Sequence, residues 1–191
     1  MKKLNILFDA YVLAECDHQG SSRSGIFFTA LNILKEFSKN DYVEISVYCS
    51  NKKFSYKLTR TLDKYFPNNK FKNIYLETLT PIELIHSKLT CAYKEKKSLI
   101  TKLKLLVISG IKKHMPAKKI DYNKATKNVD VYFSPVYKIP KEIKEIEHIK
   151  KFTLLHDIIP ILYPQYFPED KDKYWFYNFI KEINNNDYYF T

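Results

Sequence analysis

Three apolar, β-forming runs of this 191-residue chain end in residues that can do chemistry. Asp9 ends Leu4-Asn5-Ile6-Leu7-Phe8-Asp9, Ser134-Pro135 closes Val129-Asp130-Val131-Tyr132-Phe133, and His156-Asp157 closes the run 151–155. A carboxylate accepts hydrogen bonds from hydroxyl groups, and an imidazole beside a carboxylate can take up or deliver a proton near neutral pH. A lone His-Asp pair at a strand end is more often a hydrogen-bonded structural corner than a catalytic dyad, and both readings stand. A fourth candidate is the loop Gln19-Gly20-Ser21-Ser22-Arg23-Ser24-Gly25, which runs directly into a helical pattern. Free N–H groups and the dipole at a helix start favour an anion, and Arg23 adds a fixed positive charge. The alternative is an ordinary turn that Ser24 caps. The glycines do not form G-x-G-x-x-G, so a dinucleotide site is not expected.

These residues can act together only if the elements that carry them converge. The run 4–9 reads as a buried strand, and Gly25 opens a segment in which Phe27, Ala30, Leu31, Leu34 and Phe37 share a helical face. A second strand is expected over 43–49 and a surface helix over 52–65, ended by Pro67. Ile74-Tyr75-Leu76 reads as a short third strand, and a helix follows from Pro81 with Ile82, Ile85 and Leu89 on one face. Leu99, Leu103, Leu106 and Val107 mark one side of a lysine-bearing helix that Gly110 and Pro116 punctuate. Strands follow at 129–133 and 151–155. Pro160, Pro164 and Pro168 are expected to keep the next stretch out of helix. An aromatic-rich helix over 169–184 carries Trp175, Phe179 and Ile183 at i, i+4 and i+8, and a last strand begins at 187. Strand and helix alternate, which predicts one α/β domain over 1–191: a Rossmann-like, mostly parallel sheet flanked by helices. Ligands of such sheets gather at the carboxyl ends of the strands, where Asp9, Ser134-Pro135 and His156-Asp157 fall.

Ile6-Leu7-Phe8-Asp9-Ala10, Ser22-Arg23-Ser24-Gly25-Ile26, Asp130-Val131-Tyr132-Phe133-Ser134-Pro135 and Leu155-His156-Asp157-Ile158-Ile159-Pro160 with Tyr163-Pro164 occur in this order. The ordered set resembles bacterial family 4 glycosyltransferases of the GT-B fold, over nearly the whole chain. The resemblance implies the amino-terminal, acceptor-side half of such an enzyme, with Asp9, Arg23, Ser24, Gly25, Ser134 and Pro135 near the donor diphosphate or substrate. It places His156 near the donor sugar and the reacting centre, with Asp157 beside it. A general base would suit an inverting transfer; family 4 enzymes retain configuration, which favours His156 as a positioning residue. Ending within a strand, before any second Rossmann-like unit, the chain is expected to be truncated and to bind a nucleotide sugar only with a carboxyl-terminal half. No cofactor or metal is implied, the nucleotide sugar being a substrate. The acceptor implied is a saccharide or a lipid-linked saccharide of bacterial surface polysaccharide assembly, in the cytoplasm or at the inner face of its membrane. A rival reading is a non-catalytic saccharide- or lipid-binding or scaffold domain that pairs with another chain.

Charge narrows the partners. The formal net charge is +11, and the stretch 94–119 holds nine lysines against the single acid Glu95. Only Arg23 and Arg60 carry guanidinium groups, whereas base and phosphate readers favour that bidentate fork, so nucleic acid is not expected as a partner. The lysine-rich stretch, with Lys102, Lys104, Lys112 and Lys113, reads either as a solvated helix face or as a surface for anionic lipid headgroups or a lipid-linked acceptor. Met1-Lys2-Lys3 and the apolar run behind it imitate a secretion signal, but Asn5 and Asp9 interrupt the run and suit a strand better. Cys16, Cys49 and Cys91 are odd in number and widely spaced, giving no disulfide framework and no zinc pattern. The rings offer a sugar-stacking surface, for which the loop residues Tyr137, Tyr163 and Tyr166 are better placed than Trp175 and Phe179, which read as core.

Overall fold

The computed structural model describes residues 3–16, 25–68, 71–73, 80–114, 121–156, 159–166, 175–183 and 186–190. Alternation along the first strand sets the architecture. In β1 (Leu4–Asp9) Leu7 and Phe8 are both fully buried and, as neighbours in a strand, point to opposite faces, so each face of the sheet must be covered. On the Phe8 side, α1 (Tyr11–Cys16), α2 (Gly25–Ser38) and α3 (Lys52–Tyr65) bring Val12, Leu13, Phe27, Leu31, Leu34, Leu58 and Leu62 onto Ile45 and Val47 of β2 (Val43–Tyr48). Phe8 stacks on Phe133 at 5.6 Å and meets Phe37 edge-on at 6.4 Å. On the Leu7 side, Tyr48 and Tyr132 pack with Ile139, Ile146, Ile149 and with Ile143 of α7 (Lys141–Lys144).

The other strands are β3 (Lys72–Asn73), β4 (Val131–Ser134), β5 (Lys150–Leu154) and β6 (Tyr188–Phe190). All six join one sheet in the order β3-β2-β1-β4-β5-β6, and every neighbouring pair is parallel. The fold is therefore a Rossmann-like α/β sheet. From β1 the chain builds outward to β3, returns across the sheet, and builds β4, β5 and β6 on the other side. The direction reverses between β1 and β4, where the loops leave in opposite directions and open a crevice at the carboxyl ends.

The return crossover carries α4 (Pro81–Lys96), α5 (Leu99–Lys113) and α6 (Tyr122–Thr126). Thr80 and Glu83 start α4 with a reciprocal cap: Glu83 N–H donates to Thr80 Oγ1 at 3.2 Å and Thr80 N–H to Glu83 Oε2 at 3.0 Å. Lys97, at a φ of 46°, turns the chain into α5, which folds back on α4 with His86 Nε2 3.1 Å from Ser109 Oγ. No residue of α5 is buried. Among the described residues no helix is long and apolar enough to cross a membrane.

Several elements differ from expectation. The helix α1 forms between the first strand and the loop 19–25, where no element was expected, and α3 buries Leu58 and Leu62 rather than lying on the surface. Ile74-Tyr75-Leu76 lies outside the described residues, and β3 is formed by Lys72–Asn73. Pro160 does not prevent helix: α8 (Ile159–Leu162) contains it in its first turn, where its missing N–H would have had no intrahelical partner, and a 3-10 turn starts at Pro164. Pro168 and Pro116 lie outside the described residues. Gly110 does not end α5; a methyl group there would meet nothing within 4 Å. The helix expected over 169–184 is described as α9 (Trp175–Lys181), whose Phe176 and Phe179 are buried while Ile183 lies beyond its end, 38% exposed.

Stability should follow this division. Phe8→Ala is expected to cost about 3–5 kcal/mol in urea unfolding, and Leu103→Ala on α5 less than about 0.5 kcal/mol. Comparable losses at both sites would mean that α5 belongs to the cooperative core.

Candidate functional site

The crevice is built from the turn that follows β1. Asp9 is 1% exposed and sits on the sheet face of Leu7, Tyr48 and Tyr132. Its Oδ1 accepts from the N–H groups of Tyr11 at 3.0 Å and Ser50 at 3.2 Å, and its Oδ2 from the Tyr132 hydroxyl at 3.0 Å. Ala10 N–H adds a bond to the Tyr48 carbonyl at 2.7 Å. One carboxylate thus ties the end of β1 to the start of α1, the end of β2 and the middle of β4. Burial raises the carboxyl pKa above its ordinary value against the pull of these hydrogen bonds, and burial with the Asp9 charge pushes the Tyr132 phenol well up. Asp9 is therefore a structural tie at the floor of the crevice.

Above that floor lies a cluster that spacing does not announce. Tyr11 and Glu15 fall one turn apart on α1, and the Tyr11 hydroxyl donates to Glu15 Oε1 at 2.9 Å. The Tyr137 hydroxyl, from the turn after β4, donates to Glu15 Oε2 at 2.5 Å. The two rings stack at 4.5 Å, and Phe54 lies 5.5 Å from Tyr11. Burial, with Glu15 adding to it, raises both phenol pKa values, so both hydroxyls remain protonated donors. Ser134 is fully buried and donates to the Tyr137 carbonyl at 2.5 Å, holding the turn that presents Tyr137. The buried Pro135 offers its carbonyl to His156 Nε2 at 2.5 Å. A carbonyl only accepts, so Nε2 carries a proton and the neutral ring keeps Nδ1 as an acceptor. His156, half-buried just beyond β5, is thereby held beside the turn after β4.

The structure thus brings together Asp9, Ser134, Pro135 and His156 at the carboxyl ends of β1, β4 and β5, joined by Glu15, Tyr11 and Tyr137. Gly25 opens α2 on the surface, and a methyl group there would meet nothing within 4 Å, so space does not demand glycine. Arg23, Ser24 and Asp157 lie outside the described residues. Lys102, Lys104, Lys112 and Lys113 belong to α5 in the crossover and not to the strand ends. Tyr163 and Tyr166, at 50% and 79% exposure, stand around the 3-10 turn. Glu15 carried no signal of its own, because the six-residue α1 is too short to show a helical period. The assembled groups are a carboxylate, two phenols, a ring stack and an imidazole, which suit a ligand with several hydroxyl groups and apolar C–H faces. Among the described residues no group of three His, Cys, Asp or Glu side chains could hold a metal ion. No family model, curated protein or solved structure matches the chain.

Two substitutions separate the tie from its charge. Asp9→Ala leaves two N–H groups and a phenol unpaired and should cost about 2–4 kcal/mol in denaturant unfolding. Asp9→Asn keeps an acceptor for the N–H groups and offers Tyr132 a donor. Because the folded carboxyl pKa is raised, the native state binds the extra proton, and the stability Asp9 contributes falls as pH rises through that pKa. Asp9→Asn should therefore match or exceed the wild type at pH 7 and lose this advantage on acidification. An asparagine variant as unstable as the alanine variant at pH 7 would show that the ionised form is required.

Proposed function

We propose that this chain is the acceptor-side Rossmann-like domain of a GT-B glycosyltransferase of the bacterial family 4 kind. It would serve the transfer of a hexose from a nucleoside-diphosphate sugar to a hydroxyl of a saccharide or lipid-linked acceptor in cytoplasmic assembly of a surface polysaccharide. The observation that carries this reading is the hydrogen bond from His156 Nε2 to the Pro135 carbonyl, which holds the imidazole against the turn after β4, the same turn that presents Tyr137 to Glu15. Of the ordered motifs that suggest the family, Asp9, Ser134, Pro135 and His156 lie at the carboxyl ends of β1, β4 and β5.

The chemistry is of two kinds. Glu15 has lone pairs beyond the two that the phenols use, and can accept from sugar hydroxyls while the Tyr11–Tyr137 stack covers a C–H face. His156 Nδ1 can accept a hydrogen bond from a hydroxyl and so orient it for attack; in a retaining transfer it positions and need not remove the proton. The donor diphosphate would meet the helix start preceded by Arg23 and Ser24. On this reading the nucleotide itself is held by a second Rossmann-like unit, in the same or another polypeptide.

Calorimetric titration tests the division of labour. Short oligosaccharides are expected to bind the chain, with Glu15→Gln and His156→Ala each weakening them about tenfold or more, as the loss of one or two hydrogen bonds implies. Nucleoside-diphosphate sugars should bind the chain alone no more tightly than about 1 mM. A tight, saturable donor complex would overturn the acceptor-side assignment. Saccharide binding without turnover, even after a complementary unit is added, would favour a binding or scaffold domain.

A further inference from the structure

The apolar side of α5 faces the wrong way for a core helix. Leu99, Ile100, Leu103, Leu106, Val107 and Ile111 are between 44% and 77% exposed, whereas the half-buried residues of the opposite side, where Ser109 meets His86 of α4, are Thr101, Leu105, Ile108, Ser109 and Lys112, only two of them apolar. At 100° per residue the exposed apolar positions fill a continuous arc of about 140°, interrupted only by Gly110. Lys102 and Lys113 border one side of this arc and Lys104 the other, and α5 contains no acidic residue. Burial against α4 accounts for the more polar face; the apolar face has no cover among the described residues.

We infer that α5 is an in-plane membrane anchor that lays its apolar arc into the surface of an anionic bilayer. Its 15 residues span about 22 Å, short of the hydrocarbon core, so it lies along the membrane surface and does not cross it. Lysines on both borders reach headgroup phosphates while their stems stay with the acyl chains. Charge complementarity selects this occupant. In a pair of chains joined face to face, the lysine borders of the two α5 helices would meet without an acid on either. An acidic protein partner would meet an arc with no hydrogen-bonding side chain to fix its register, whereas a fluid bilayer requires none. The anchoring rests on the α5 geometry alone and is independent of the transferase reading.

Co-sedimentation of the full chain with vesicles tests it. With phosphatidylcholine vesicles containing about one-third phosphatidylglycerol the chain should pellet, and partitioning to pure phosphatidylcholine should be about tenfold weaker or less. The variant Leu103→Ser/Val107→Ser and the variant Lys102→Glu/Lys104→Glu/Lys113→Glu should each lose about tenfold or more on the anionic vesicles, with unchanged melting temperature. Hydrogen exchange on vesicles gives a reading that needs no variant, with new protection expected over α5. The inference is overturned by absence of pelleting, by pelleting that the serine variant leaves intact, or by protection confined elsewhere. It is equally overturned if sedimentation equilibrium without lipid shows a dimer that the serine variant disperses, since the occupant would then be a second copy.

Discussion

A carboxylate removed from water must have its lone pairs filled from within the fold, and Asp9 meets that requirement by drawing donors from separate elements. Tyr11, Ser50 and Tyr132 belong to α1, to the turn before α3 and to β4, so the bonds hold the two halves of the sheet together where their directions diverge. The crevice at that reversal has a fixed floor for this reason. The start of α1 is set by the same carboxylate, and with it the positions of Tyr11 and Glu15. The turn after β4 is set by Ser134, which presents Tyr137 to Glu15 and the Pro135 carbonyl to His156. Floor and wall are thus one hydrogen-bonded system, built from short connections on a rigid sheet.

The sheet was largely legible in the residues because its inner strands β1 and β2 are buried on both faces and, with β4, read as dense β-forming runs. Ile6 to Phe8, Ile45 to Val47 and Val131 to Phe133 needed no tertiary knowledge to be recognised. Their polar ends marked where a ligand could approach. Shorter elements escaped for a physical reason: α1 has six residues and α8 four, too few for a helical period to emerge. Proline misled at Pro160 because its effect depends on position within a helix, being disruptive inside and compatible with the first turn. Tyr137 stood out as an aromatic residue in a loop, but its partner Glu15, 122 residues away, could be found only through the parallel pairing of β1 with β4.

The helix α5 makes the complementary point. Its apolar spacing was visible in the residues, and the ordinary rule would turn Leu103 and Val107 inward. Periodicity reports that a face is apolar but not what it faces. In the fold the opposite side is taken by α4, through contacts that include His86 with Ser109, and Leu99, Leu103 and Leu106 are left pointing outward between lysines. The two surfaces differ in character accordingly. The crevice offers fixed polar groups that can specify a ligand, and α5 offers apolar area and charge that can attract a surface without specifying one.

The assignment of an acceptor site at the sheet reversal is tested most directly by determining the structure of the chain with a short oligosaccharide bound. The account predicts a sugar ring against the Tyr11–Tyr137 stack, with hydroxyls within hydrogen-bond reach of Glu15 and of His156 Nδ1. A saccharide seated elsewhere, such as around Tyr163 and Tyr166, with the crevice unchanged, would contradict it.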